Sequence, residues 1–387
     1  MHSRTSKSRG LLALVGVAVV AAVIAGCGSS NNSTTSGSST GAGANKNFKV
    51  AVLSTGATNN RSWANSWADG AAKAAKDLGA TVTMVGNVET PDQYTSQGAS
   101  YAAKGYNLII FAHGAMNDPA VKLAKQFPNV KFVQAPFEFA NKAEQQAQPA
   151  NLGHVDFKQE QGSFLAGAMA GLVTKTNKVG AVYAFPFPAL TRQPEAFSLG
   201  ARCTNPKVTF TQKATSSFTD AALARAAASS LYDSGVDVVF SAVDQAVQGV
   251  IAAANNSSTK PAYVVAQYRD QHDLGRNVVL TSVVYNLNGV AENIIKDGLD
   301  KKIGAHYYKS YNLGNFKVGT LAPLQNLSSA LTPEDKQIMA TVTKAVADGT
   351  IKVPDAVTGS TPIGKPGAAE KLDPTSLGCT TAMQKQT

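Results

Sequence analysis

From Phe48 onward, short β-branched apolar runs alternate with alanine-rich stretches of helical period, and this alternation constrains the fold more than any other feature of the chain. KVAVLST (49–55) is apolar almost throughout, as a buried strand is, and residues 62–78 place Trp67, Ala71, Ala75 and Leu78 on one helical stripe. The pattern predicts further strands at 80–87, 107–113 and 130–135, with helices at 92–104 and 118–126 between them. A second series follows LGHVDF (152–157): helix 159–174, strand 178–185, helix 193–205, strand 208–214, helix 220–233, then strands 236–242, 262–267 and 278–286. Continuously apolar strands belong to parallel sheets covered on both faces. The expected fold class is therefore α/β, with two doubly wound parallel-sheet lobes. Lobe 1 spans 48–155 and regains a return segment near 287–310; lobe 2 spans 156–286 and regains part of 311–387. Ligands of open α/β sheets bind beyond the carboxyl ends of the strands, so two such lobes facing each other define a cleft.

The N-terminus is a separate signal. Arg4, Lys7 and Arg9 precede an apolar run from Leu11 to Ala25 that is too short to span a bilayer, which needs about 20 residues. The run ends Ile24-Ala25-Gly26-Cys27, which resembles a bacterial lipobox: residues 1–26 are expected to be a signal peptide and Cys27 the lipidated first residue of the mature protein. Residues 28–45 contain only Gly, Ser, Thr, Asn and Ala, a composition that forms flexible coil spanning about 25 Å, so 27–47 reads as a tether. An exported chain meets an oxidising compartment, and the remaining cysteines, Cys203 and Cys379, are expected to form a disulfide.

Chemistry of catalysis is sparse in this sequence. It has no G-x-S-x-G, phosphate-loop, H-E-x-x-H or C-x-x-C motif, and its five histidines, at 2, 113, 154, 272 and 306, are too dispersed for a metal site. The net charge of +10 comes from scattered Lys and Arg, without the aromatic-basic clustering of a nucleic-acid surface. No cofactor, metal or nucleic-acid partner is expected, and the chain reads as a non-enzymatic monomer.

Several segments together resemble the basic membrane protein family: S-W-x-x-x-W-x-x-G (62–70), DPAVKLAKQFPNVKF (118–132), QEQGSFLAGAMAGLVTKTNKVGAVYAFPFP (159–188), R-x-x-x-A-F-x-L-G-A-R (192–202) and LTSVVYN (280–286). The resemblance covers most of residues 48–300. It implies the type I periplasmic-binding-protein fold and a lipid-anchored receptor on the extracytoplasmic face of the cell membrane, handing a small solute to an ABC permease. The better-known members take purine nucleosides, so a nucleoside or nucleobase is the expected ligand. This chain departs from them at two places: Asn60-Arg61-Ser62-Trp63-Ala64 stands where they have D-K-S-F-N, and Tyr285 stands where they have a lysine. A ligand-sensing lipoprotein receptor and a surface hydrolase are the rival readings.

Candidate ligand residues follow from the strand ends. Trp63 offers a flat face for a ring, while Trp67 continues the core stripe. Asn60 and Ser62 either bond a ligand or cap the first helix. His113 and Gly114 follow the third strand; Phe185 and Phe187 follow the strand that opens lobe 2, in a loop fixed by Pro186 and Pro188. Asp244 and Asp270 stand at carboxyl strand ends, where a carboxylate accepts from paired hydroxyls or is simply solvated. Arg192 reaches the cleft or pairs with Glu195, and Tyr285 and Asn286 end the strand that crosses between lobes. Replacing Cys27 with Ala is expected to leave an unprocessed or soluble protein, measured as loss from the detergent phase; an Ala variant that stays membrane-bound after alkaline washing overturns the lipid anchor.

Overall fold

The computed structural model describes residues 45–385, so the targeting segment 1–26, Cys27 and all but the end of the tether lie outside the described residues. Lobe 1 begins with β1 (Lys49–Ser54), α1 (Trp63–Leu78), β2 (Thr81–Val85), α2 (Pro91–Ala103), β3 (Leu108–Ala112), α3 (Asn117–Gln126), β4 (Lys131–Gln134), α4 (Lys142–Gln146) and β5 (Leu152–Phe157). Lobe 2 follows with α5 (Gln159–Val173), β6 (Lys178–Tyr183), α6 (Pro188–Thr204), β7 (Thr209–Ala214), α7 (Ala221–Asp233), β8 (Val238–Ala242), α8 (Val247–Asn256), β9 (Tyr263–Tyr268) and β10 (Val279–Val284). The chain then returns through α9 (Leu287–Leu299) and β11 (Tyr308–Tyr311), and comes back again through α10 (Leu313–Phe316), β12 (Thr320–Leu321) and α11 (Pro333–Ala347).

Two six-stranded sheets result, ordered β11-β5-β4-β3-β1-β2 and β12-β10-β9-β8-β6-β7. All pairings are parallel except that of β12 with β10. The inner strands are apolar and fully buried, as β3 (LIIFA) shows, because helices cover both faces. The edge strands differ from the sequence expectation: β2 (TVTMV) and β7 (TFTQKA) are half exposed, with Thr81, Thr209 and Thr211 facing water. Residues 156 and 157, expected at the start of lobe 2, still pair with Ser310 and Tyr311 in the first sheet.

Three crossings join the lobes: at Lys158, at residues 285–286 and over residues 312–319. They are bonded to one another. The Lys158 amide donates to the Tyr311 carbonyl at 2.8 Å, and the Gly319 amide donates to the Val284 carbonyl at 2.8 Å. Within lobe 2, α5 and α6 touch backbone to backbone. A Cβ on Gly167 would lie 1.9 Å from the Phe197 carbonyl oxygen, and one on Gly200 would lie 1.9 Å from that of Phe164, so only glycine permits this approach. Helix α6 begins at Pro188, five residues before the expected start at 193. Pro194 suggests a first helical turn, but it sits inside the helix while Pro188 occupies that first turn.

Cys203, near the end of α6, is disulfide-bonded to Cys379 with 5.6 Å between the Cα atoms, closing a separation of 176 residues. In the chain-entropy model such a closure stabilises by about 5 kcal/mol. The Cys203→Ser/Cys379→Ser double variant is therefore expected to lose roughly 2–5 kcal/mol in denaturant unfolding. Wild-type stability in the double variant overturns that expectation.

Candidate functional site

A narrow cavity of about 40 Å³, open to solvent on one side, lies between the lobes. Lobe 1 supplies Thr55 after β1, Trp63 at the start of α1, and His113 and Gly114 after β3. Lobe 2 supplies Phe187 and Gln193 around the start of α6, Asp244 after β8 and Tyr268 at the end of β9. Every one stands at a carboxyl strand end or an adjoining helix start, as the topology requires.

Asp244 organises the contact between the lobes. Its carboxylate accepts from the Trp63 amide at 3.0 Å, so a side chain of lobe 2 caps a helix of lobe 1, where the helix dipole favours negative charge. The Asn60 side-chain amide lies 3.3 Å from the other carboxylate oxygen, while Asn60 Oδ1 accepts from the Ser62 and Asn65 amides at 2.9 and 3.2 Å. Asn60 is thus both the local cap of α1 and a partner of Asp244. Gly56, at φ 74°, lets the chain pass close to this pair: a Cβ there would meet Asn60 Nδ2 at 2.9 Å and Asp244 Oδ2 at 3.3 Å. Asp244 (φ 49°) and Tyr268 (φ 75°) both hold left-handed backbone, which costs on the order of 1–3 kcal/mol for such residues and concentrates at binding sites.

The walls are aromatic. Trp63 is only 6% exposed and packs edge-on against Trp67 and Tyr268, at centroid distances of 5.8 and 5.3 Å. Its indole N–H donates to the Ala112 carbonyl at 2.9 Å. Trp63 therefore belongs to the core as well as to the cavity wall. Phe187 is more open and lies 5.6 Å from the His113 ring. Burial pushes His113 down to about 4, so the imidazole is neutral at pH 7. Its Nδ1 accepts from the Ala115 amide at 3.0 Å, which leaves the proton on Nε2 as a donor.

The remaining sequence candidates stand outside the cavity lining. Phe185 packs on Phe218 at 5.1 Å, behind the wall. Ser62 is buried, and its carbonyl starts α1 by accepting from Ser66. Tyr285 is fully buried beneath the site, its hydroxyl 3.4 Å from both Ser163 and Gln193. Asn286 donates to the Phe316 carbonyl at 3.1 Å and belongs to the crossings. Asp270 is exposed and accepts from the His272 amide, in an outer groove it shares with Arg61 and Arg269. Arg192 neither reaches the cavity nor pairs with Glu195. It is buried against Asp156 at 2.8 Å and Glu160 at 3.2 Å, while Glu195 accepts from Gln212 and from two backbone amides. Tyr268 was missed because the strand expected at 262–267 stops one residue short of it, and Gln193 because α6, expected to start there, begins at Pro188.

Two lobes with parallel sheets, three crossings and a site between facing strand ends are the architecture of the type I periplasmic-binding-protein fold. Among solved structures, the chain is similar to a solute-binding protein of an ABC transporter system from Aeropyrum pernix, with TM-score 0.69, 18% identity, and coverage of 79% of this chain and 92% of that one. The profile of the Bmp family, described as PnrA-like ABC transporter substrate-binding proteins, matches residues 47–348, and the chain belongs to that family. Among curated relatives, the ABC transporter nucleoside-binding protein BmpA of Lactococcus lactis is 28% identical over 352 residues, covering 86% of this chain and 95% of that one. The CD4+ T-cell-stimulating antigen of Listeria innocua is 28% identical over 365 residues, covering 89% and 98%.

Burial raises Asp244 from its ordinary 3.8 to about 6. Closure of the lobes buries this carboxyl, so the closed form takes up a proton that an open, hydrated Asp244 lacks between those pH values. The stabilisation of the closed form by this group is complete below about 3.8 and is lost as pH rises through about 6. Asp244→Asn removes the titration. The thermal midpoint of the ligand-free Asn variant, relative to wild type, is expected to rise between pH 5 and pH 7; a constant difference overturns the assignment.

Proposed function

We infer that the protein is a lipid-anchored receptor on the extracytoplasmic face that binds a purine nucleoside or nucleobase and presents it to an ABC permease, without a catalytic step. Membership of a substrate-binding family supports the receptor role. The observation that carries the ligand reading is the pairing of aromatic walls with a single carboxylate: Phe187, Tyr268 and Trp63 flank the cavity, and Asp244 is its one acidic lining residue. Aromatic faces favour planar rings, and a carboxylate accepts from two adjacent hydroxyls of a ribose. The neutral His113 and the amides of Gln159 and Gln193 add donors and acceptors that suit the edge of a base. The relative from Lactococcus lactis is named as a nucleoside-binding protein, which agrees with this chemistry.

Among the described residues that line the cavity there is no Lys or Arg, so an anionic solute would have no counter-charge there. Neutral nucleosides should bind and nucleotides should not. Calorimetry with inosine, guanosine, adenosine, adenine, ribose and amino acids tests the reading: nucleosides alone, or nucleosides and bases, are expected to release heat. Phe187→Ala is expected to weaken binding about tenfold to a hundredfold, equivalent to about 1–3 kcal/mol of stacking. Phe187 is the better probe than Trp63, whose truncation would also open the core. Binding of ribose or amino acids alone, or a silent Phe187→Ala, overturns the ligand assignment.

A further inference from the structure

The family match ends at residue 348, and residues 349–385 lie beyond it. This segment is held to lobe 2 at several points. Cys379 is bonded to Cys203 of α6, Glu195 of α6 accepts from the amides of Gly367 and Ala369 at 2.8 and 2.7 Å, and Arg202 donates to the Leu372 carbonyl at 3.0 Å. At its end, Lys385 donates from its backbone to the Thr204 carbonyl at 2.8 Å.

From this anchorage the segment reaches the other lobe. The Ala356 amide donates to Glu138 Oε2 at 3.0 Å, and the Thr358 hydroxyl lies between Glu138 Oε1 at 2.8 Å and Asp355 Oδ2 at 2.7 Å, bridging the two carboxylates. Glu138 sits in the loop after β4, where the neighbouring Phe137 amide is bonded to the Val155 carbonyl of β5, so this carboxylate is part of lobe 1. Its side chain is only 6% exposed, and hydrogen bonds to a sequestered carboxylate are among the stronger ones available to neutral donors. Asp355, in the same turn, pairs with Lys158 of the first crossing at 2.9 Å. Ala356 and Val357 also wall a space of about 550 Å³ that shares Gly114 and Ala189 with the ligand cavity.

We propose that residues 355–358 act with Glu138 as a fourth, noncovalent crossing that holds the lobes closed and so positions the two walls of the ligand cavity. The three chain crossings permit rotation of one lobe against the other. A contact beside the first crossing, anchored covalently in lobe 2 and gripping lobe 1, adds a restraint to that rotation. Opening separates Glu138 from both donors and leaves it with Lys158 at 3.4 Å and Arg192 at 3.7 Å. This role concerns closure itself and holds for whichever solute fills the cavity.

The test is hydrogen exchange by mass spectrometry on the ligand-free full chain, comparing wild type with Thr358→Val and with Thr358→Ser. Thr358→Val removes the donor from an exterior position and leaves the disulfide intact. Peptides containing the Trp63 backbone amide, which bonds across the cleft to Asp244, report opening. They are expected to exchange about tenfold faster in Thr358→Val, the factor that loss of one hydrogen bond to a charged group gives, and at the wild-type rate in Thr358→Ser. Glu138→Gln is expected to show the same acceleration. Faster exchange confined to residues 355–364, with the start of α1 unchanged, overturns the proposal. Inosine added to wild type separates the two readings: an absence of binding counts against the nucleoside, and the exchange result on the ligand-free protein is unaffected.

Discussion

A guanidinium with no access to water lies where the two lobes meet, and most of the architecture around the cavity answers to it. Arg192 donates to Asp156 at 2.8 Å and to the Phe157 carbonyl at 3.0 Å, with Glu160 at 3.2 Å. A buried cation is tolerated only with partners in good geometry. The partners come from the end of β5 and the start of α5, and both are thereby fixed against α6. Burial alone would raise Asp156, yet Arg192 and Lys158 bring it below the usual carboxylate range. Glu160 is raised by its burial. The first turns of α5 and α6, held in place this way, present Gln159 and Gln193 to the ligand cavity. The charge that the sequence suggested for the cleft itself works one layer behind it.

Closure across the cleft has a different basis. Surface pairs such as Arg269 with Asp69 join the lobes at the rim, where solvent screening leaves them worth little. The unscreened tie is Asp244 at the N-terminus of α1, where the Trp63 amide and the helix dipole offset part of the cost of burying the carboxylate. That tie is incomplete in its own terms. The carboxylate is raised by burial and its backbone is left-handed, so a ligand that donates hydroxyls to it would relieve part of the cost. A receptor needs this arrangement: the closed form should be accessible without solute and favoured with it.

Most of the strand and helix alternation in the region 48–286 was legible because periodicity reports local burial, as in LIIFA, but α4, α8 and the strand LGHVDF were not assigned from the sequence. Beyond residue 286 the sequence was harder. Helix α11 is announced by the capping box of Thr332 and Asp335, a signal of its start that apolar period alone does not show. The second and third crossings, and β12 with its two residues, rest on pairing partners more than 30 residues away. Within the site, positions at carboxyl strand ends were readable for Trp63, His113 and Asp244, since topology alone sends such residues to the cleft. The same rule named Asp270, and the rule failed there because the chain turns into a short 3-10 helix (His272–Leu274) after β9 and leaves that residue on the outer rim.

What the sequence determined by itself was the family, the two-lobed parallel architecture and the presence of a cleft, because these depend on residue pattern over short windows and on the handedness of β-α-β crossings. What only the tertiary structure decided was which polar residues meet. Arg192 has Glu195 three positions along its own helix, yet it bonds to Asp156 on another lobe, and Asn60 finds Asp244 across 184 residues. Electrostatic partnership falls off within a few ångströms and takes no account of distance along the chain. Only the packed fold assigns it.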